Sequence, residues 1–380
     1  MKPRLGSRAL FPQLRARSYL NHAAISPLSS IVVTAISRAL SRYAADGLGA
    51  FFAGLPERDV LKGRLAGLIG ATPQEIGFTQ NTTAGVSAIA NMIPWRPGDR
   101  VVVFEGEFPA NVTPWQRAAE TYGLELAWVS LEPFQRSWEE GLAQVETELL
   151  RGARLVAVSF VQFQTGLRMP IDELGALAHG HGAKLFVDAI QGLGAVPLDV
   201  AHVDYLACGG HKWLMGPEGA GFIYVDAKRA PSLVPRLAGW LSHEDALVFL
   251  GRARELRYDR AIRREASIVE QGAQSSLGLA GLDASVALIE QLGVDAIFEH
   301  LQTFHDRLEP ELVARGFVSE RVAHARSGSL CVVPPDGTLK EHAARLSERG
   351  IEVSTPDGRL RFAPHWPNAL DEVEAIVDAL

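Results

Sequence analysis

The sequence predicts an α/β fold, with a mainly parallel sheet between helices and a compact C-terminal α+β part. Three observations predict it. Short, strongly apolar runs such as Val101-Val-Val-Phe104 and Leu185-Phe-Val187 read as buried strands. These runs alternate with helical patterns at a spacing that implies right-handed crossovers between parallel strands. A chain of 380 residues, 47% of them hydrophobic, is also long enough for one large core and a smaller companion.

Taken in order, residues 1–18 are basic and irregular and read as an arm. Tyr19–Leu28 gives a short strand-like piece and a proline turn. Helical periodicity follows over Ser29–Ala45 and Glu57–Gly70, with a new turn at Thr72-Pro73. A strand beginning at Ile76 ends near Gln80, and Thr82-Thr83-Ala84 opens an apolar helix. Threonine suits the N-cap there, and the free N–H groups of such a terminus form an anion site. Asp99–Phe104, entered through the turn Arg96-Pro97-Gly98, is a further strand. Leu124–Val129, Leu155–Phe160 and Lys184–Val187 are others, with Trp138–Arg151 and Asp172–His179 the clearest helices between them. His179 and His181 lie among glycines, which fits a helix end better than a metal site.

Beyond the central strands, Arg252–Arg264 is rich in arginine but broken by Glu255, Asp259 and apolar residues, and reads mostly as a solvated helix face. Leu277–Gly293 and Val294–Gly316 are helical. Leu330–Val333, Lys340–Arg349, Arg359–Phe362 and the helix Leu370–Leu380 make up the C-terminal α+β part.

Composition narrows the function. A net charge of −7 argues against a nucleic-acid or anionic-membrane surface. Two cysteines, Cys208 and Cys331, cannot build a disulfide framework and fit a reducing compartment. No apolar leader segment or membrane-length run stands out, so a soluble cytoplasmic protein is expected. A Walker loop, a His-Glu-x-x-His motif and a Gly-x-Ser-x-Gly elbow are all missing from the sequence, which removes the usual nucleotide and hydrolase readings.

The most informative stretch is Asp204–Val225. Two apolar runs, Tyr205–Cys208 and Phe222–Val225, bracket a loop too rich in glycine for helix or ladder, and Lys212 stands in its middle. Of the 37 lysines and arginines only six are lysines: Lys2, Lys62, Lys184, Lys212, Lys228 and Lys340. Lys212 alone is flanked by Gly, His and Trp, where backbone can approach a ligand and an amine can form a Schiff base. Upstream, the strand Lys184–Val187 runs into Asp188. A carboxylate at the carboxyl end of a strand lies where α/β sheets bind ligands. Pyridoxal phosphate (PLP) needs this pair, an amine for its aldehyde and an anion for its ring nitrogen.

Val187-Asp-Ala-Ile-Gln191, followed by Gly209-Gly-His-Lys-Trp213 and Gly216-Pro-Glu-Gly219, resembles the class V aminotransferase family of fold-type I PLP enzymes, a group that includes isopenicillin-N-epimerase-like and cysteine-desulfurase-like branches. The resemblance covers nearly the whole chain. It implies a large domain over 20–265 with a seven-stranded sheet, a connecting segment over 266–284, and a small domain from 1–19 and 285–380. It implies PLP on Lys212, Asp188 at the pyridine nitrogen, Gln191 at the phenolic oxygen, and Thr82, Thr83 and His211 at the phosphate. Gln162 and Gln164 are weaker candidates near the phenolic oxygen. Phe108 stands where desulfurases carry a histidine stacked on the ring, as in the kynureninase-like and epimerase-like branches. Asn21 and His22 are expected at the substrate end. Arg361 falls at the place of the carboxylate-binding arginine, although strand periodicity puts Arg359 on the same face.

Two departures stand out. Gly209 replaces a serine common in relatives, and Ala273 replaces a threonine. The resemblance also implies a homodimer with the active site at its interface, because Gly272–Ser276 matches a segment that reaches the neighbour's phosphate. Ala238–Glu244 resembles a mobile Gly-Trp segment at the substrate entrance. No cysteine lies between Cys331 and the C-terminus, and Cys331 itself reads as a buried strand residue. Persulfide relay by the usual desulfurase cysteine is therefore not expected. The expected function is aminotransferase or C–S/β-lyase chemistry at Cα of a small amino acid, with epimerisation as the alternative. A non-catalytic binding module is the rival from another class, disfavoured because both Lys212 and Asp188 are present.

Overall fold

The computed structural model describes residues 2–335 and 337–380. Among these residues twelve strands run in chain order: β1 Ser18–Tyr19, β2 Ile76–Thr79, β3 Arg100–Phe104, β4 Glu125–Val129, β5 Ala153–Ser159, β6 Lys184–Asp188, β7 Tyr205–Gly209, β8 Gly221–Val225, β9 Val318–Ser319, β10 Leu330–Val333, β11 Ile351–Glu352 and β12 Leu360–Phe362. The central sheet has seven strands in the order β2-β8-β7-β6-β5-β3-β4. Only β8 runs against the others. The carboxyl ends of β2, β3, β5, β6 and β7 therefore share one edge.

Both faces of this sheet are covered, which explains why its strands read as continuous apolar runs. Val102, Phe104, Val156, Val158, Leu185 and Val187 pack into one core, while their alternating neighbours Val101, Val103, Leu155, Ala157 and Phe186 pack into another. The helix Thr82–Met92 lies in the second core and presses against β7. A Cβ on Gly85 would come within 2.8 Å of both Ala207 and Ile223, so glycine is what lets this helix approach so closely. That contact pins the helix N-terminus at the carboxyl edge.

A second, three-stranded antiparallel sheet, β12-β10-β9, packs with the helices Val294–Ala314, Leu339–Glu348 and Glu372–Val377 around Phe304, Leu308, Leu330 and Phe362. The N-terminal segment is tied to this part of the chain. β1 pairs with β11, and Asn21 forms a bridge with Ala363.

Three local expectations change. The second helix spans Leu48–Gly67 and runs through Pro56; it starts directly after Gly47, whose φ of +51° breaks it from the preceding helix. Asn81, not Thr82, caps the helix Thr82–Met92, accepting from Ala84 N–H at 2.9 Å. Residues 252–264 form no helix. Arg254 adopts φ +64°, and Leu256 and Tyr258 are 61% and 88% exposed, so the segment has no buried apolar face to hold helical turns.

Candidate active site

The loop between β7 and β8 is shaped by its own backbone. Gly210 N–H donates to Ala220 O at 2.8 Å, Gly216 N–H to Gly210 O at 2.8 Å, and Met215 N–H to Lys212 O at 3.0 Å. Met215 takes φ +53°, a costly conformation for a residue with a Cβ. Trp213 anchors the loop: its ring is fully buried and its Nε1–H donates to Gln191 Oε1 at 3.1 Å.

Two segments remote in sequence hold the lysine's own backbone. Ser26 Oγ donates to Lys212 O at 2.6 Å, and Ser26 N–H donates to His211 O at 2.8 Å. Because that hydroxyl donates to a carbonyl, it accepts from His22 Nδ1–H at 2.7 Å. From the other end of the chain, His365 Nε2–H donates to Trp213 O at 2.8 Å while its Nδ1 accepts from Trp366 N–H. Burial keeps both imidazoles neutral; the His365 pKa is pulled down to about 4 and that of His22 well below the usual value. His22 is thus 1% exposed and lies behind the lysine backbone, holding Ser26.

The Lys212 ammonium is brought against Phe108, with Nζ 5.4 Å from the ring centroid. Burial lowers its pKa to about 8, with Arg361 acting in the same direction and Asp188 opposing. Phe108 meets Phe163 edge-on at 5.2 Å, and Phe163 O accepts from Arg361 Nη1 at 2.8 Å. Arg361 is 5% exposed, and its Nε donates to Ser354 Oγ at 3.0 Å. Its Nη2 has no partner among the described residues, which leaves an oriented donor for a carboxylate. Arg359 is committed elsewhere, to Glu320 and Asp357. Asn21 lies beside this strand through its bridge to Ala363, and its buried Oδ1 is without a partner among the described residues.

Asp188 is 2% exposed at the end of β6 and accepts a hydrogen bond from Ile190 N–H at 3.0 Å. Burial, reinforced by the charge of Glu107, pushes its pKa up to about 7. Thr82 Oγ1 accepts from Gly209 N–H at 3.0 Å, joining the helix N-terminus to the lysine loop. Thr83 is exposed beside it. Asn81 satisfies only Ala84, so the N–H groups of Thr82 and Thr83 have no partner among the described residues. His211 is half-buried, and burial followed by Lys212 lowers its pKa. A Cβ on Gly209 would lie 3.3 Å from the His211 ring, so the imidazole stands close to where a serine side chain would begin.

Other expected contributors are placed differently. Gln191 Nε2 donates to Ala23 O at 3.1 Å, and with Oε1 held by Trp213 only one amide hydrogen is left over. Gln164 turns to Asp357 at 3.1 Å, whereas Gln162 Nε2 donates to Glu107 at 3.0 Å. Gly239 and Trp240 lie with Gln271 and Ala273 around a groove of about 580 Å³, whose far wall is Gln80 and Ala84. Sequence reasoning missed Glu107, Ser26 and His365. Each is a buried polar residue in a connection, a class that carries no periodic signal.

The Aminotransferase class-V profile matches residues 18–360. A probable cysteine desulfurase of Pyrococcus abyssi is 32% identical, over 83% of this chain and 80% of that protein. The chain belongs to the class-V aminotransferase family. Another class-V relative, a probable cysteine desulfurase of Methanothermobacter thermautotrophicus, is 27% identical over 97% of this chain and 95% of its own. The apo cysteine desulfurase of Thermococcus onnurineus NA1 superposes with a TM-score of 0.83 at 26% identity, covering 95% of this chain and 93% of that one. The cystine C–S lyase C-DES shares the fold, with a TM-score of 0.86 at 21% identity over 97% and 98% of the two chains. This class-V protein is accordingly a PLP-dependent enzyme, a transferase or a lyase. Its residues fit the cofactor: a buried carboxylate that no cation among the described residues pairs with, an amine of lowered pKa beside an aromatic face, and N–H groups at a helix N-terminus unpaired among the same residues.

Proposed function

We propose that this enzyme transforms a small amino acid at Cα by transamination or by elimination at Cβ, without a cysteine that carries sulfur. The observation that carries the reading is the Lys212 amine, held against the Phe108 ring with its pKa lowered to about 8 by burial and by the Arg361 charge. PLP, when bound, supplies an aldehyde for amines and a ring that accepts electrons from Cα. The protein's own groups do the rest. Arg361 grips the substrate carboxylate, and Lys212, whose lowered pKa makes its amine available near neutral pH, moves the proton at Cα. Asp188 holds a proton at the ring nitrogen. Thr82, Thr83 and the helix N-terminus receive the phosphate, with neutral His211 contributing a hydrogen bond rather than a charge.

Relatives named cysteine desulfurases make cysteine the first substrate to test. Sulfur relay on this chain has no support, because Cys208 and Cys331 are both buried and burial pushes the Cys331 thiol up to about 12. Elimination from cysteine consumes one water and yields pyruvate, ammonia and sulfide. The test is to incubate the holoenzyme with cysteine, alanine and serine. Pyruvate with sulfide supports elimination, and conversion of bound PLP to its pyridoxamine form supports transamination. Deuterium uptake at Cα with racemisation and no keto acid would overturn both in favour of an epimerase.

The same reading includes a homodimer. It is supported by exposed Leu48, Phe52 and Val60 on the helix Leu48–Gly67 and by exposed Trp240, Leu256 and Tyr258 on the neighbouring loop. Helix and loop line a common groove through Leu55, Arg58, Leu241 and Leu247. Apolar surface of this extent favours burial against a second copy.

A further inference from the structure

Asp188 has a second buried acid for a neighbour. Glu107 enters from the connection after β3 and is 8% exposed. No Lys, Arg or His among the described residues pairs with it. Ser159 N–H donates to it at 2.6 Å, Ser159 Oγ also donates to it, and Gln162 Nε2–H does so at 3.0 Å. Ser159 is the register partner of Asp188 across β5 and β6, so the residue bonded to Glu107 is the sheet neighbour of Asp188.

Two buried acids whose charges act on one another do not both ionise readily. The donors decide which one does. Among the described residues Glu107 accepts three hydrogen bonds, two from Ser159 and one from Gln162, while Asp188 accepts only the bond from Ile190. Burial raises the pKa of both carboxyls, and the better-supplied Glu107 keeps more of the negative charge while Asp188 holds its proton more readily. The charged and titratable groups facing Asp188 are Glu107 from the β3 connection, Lys212 from the lysine loop and Cys208 from β7.

We propose that Glu107 is a positioning residue for the cofactor's ring nitrogen: held by Ser159 and Gln162, it presents a fixed anion behind Asp188 and thereby keeps the proton between Asp188 and that nitrogen. The proton balance is closed. With PLP bound, the proton that Asp188 holds would serve the ring nitrogen without one being taken from solvent, and the ring's positive charge would offset that of the two acids. The Glu107 charge strengthens that arrangement because any cation there faces two acids instead of one. This rests on PLP as cofactor and on Asp188 at its nitrogen, but not on which reaction follows.

The test is the ¹⁵N chemical shift of the ring nitrogen in holoenzyme reconstituted with ¹⁵N-labelled PLP, followed against pH. Glu107→Gln should lower the pH at which the nitrogen loses its proton by about one unit or more. Ser159→Ala, which keeps the acid but removes one donor, should move it in the same direction by less. An unchanged midpoint in Glu107→Gln would overturn the proposal; should that variant fail to fold, an unchanged midpoint in Ser159→Ala would do the same. Asp188→Asn separates the two levels. If it abolishes protonation while Glu107→Gln changes nothing, the role of Asp188 stands and that of Glu107 falls. A wild-type nitrogen unprotonated at neutral pH would remove both.

Discussion

The Ser26 hydroxyl donates a 2.6 Å hydrogen bond to the carbonyl oxygen of Lys212, across 186 residues of sequence. The lysine is thus positioned by the N-terminal segment as well as by its own loop. Ser26→Ala should leave the fold intact at a stability cost of about 1–3 kcal/mol, because both the Lys212 carbonyl and the buried His22 Nδ1–H lose their partner. It should lower kcat by roughly 3- to 10-fold with KM little changed, because the amine is placed less sharply. Ser26→Thr should restore most of the loss. Steady-state kinetics of the three proteins check this, and equal kcat in all of them would remove the positioning role.

Lys212→Ala should lower turnover by at least about 10²- to 10⁴-fold, the typical contribution of a positioned acid–base group. It should also abolish borohydride-stable cofactor attachment. Residual turnover near the wild-type value would place the proton-moving amine elsewhere.

Arg361→Ala should raise KM for the amino acid by roughly 10- to 100-fold, corresponding to about 1.5–3 kcal/mol for a hydrogen bond to a charged group. Arg361→Lys should recover little, since an ammonium cannot reproduce the planar fork held by Ser354 and Phe163. Arg359→Ala should leave KM unchanged, because that guanidinium is occupied by Glu320.

Asp188 makes the cofactor-free chain sensitive to pH. Its folded pKa, raised to about 7 first by burial, exceeds the unfolded value. The folded chain therefore binds more protons than the unfolded one between about pH 4 and pH 7, and stability falls as pH rises through that window. Lys212 titrates above it, near 8. Buried neutral His22 and His365 act in the opposite sense over the lower part of this window, so the test is the difference in Tm between PLP-free wild type and Asp188→Asn, which should move against the wild type as pH rises from 5 to 7.5. Parallel curves would mean that Asp188 is ionised throughout.

Much of the architecture was legible because the sheet is buried on both faces. Runs such as Val101–Phe104 and Lys184–Asp188 leave no other reading, and their crossovers are short. Lys212 and Asp188 stood out because glycines and a strand end mark where a ligand can approach. Ser26, His365 and Glu107 did not. Their roles depend on which remote carbonyl or carboxylate they meet, and no local pattern encodes that. Residues 252–264 misled through their arginine spacing, since periodic charge without a buried face does not hold a helix. Strand periodicity could not separate Arg359 from Arg361; the partners Glu320 and Phe163 do.

The most direct measurement of the central claim is to load the purified protein with PLP, reduce it with borohydride, and map the modified residue by peptide mass spectrometry. The account predicts a yellow protein that bleaches on reduction and a pyridoxyl group on Lys212 alone. A protein that takes up no PLP, or one that carries it on any of the other five lysines, would contradict it.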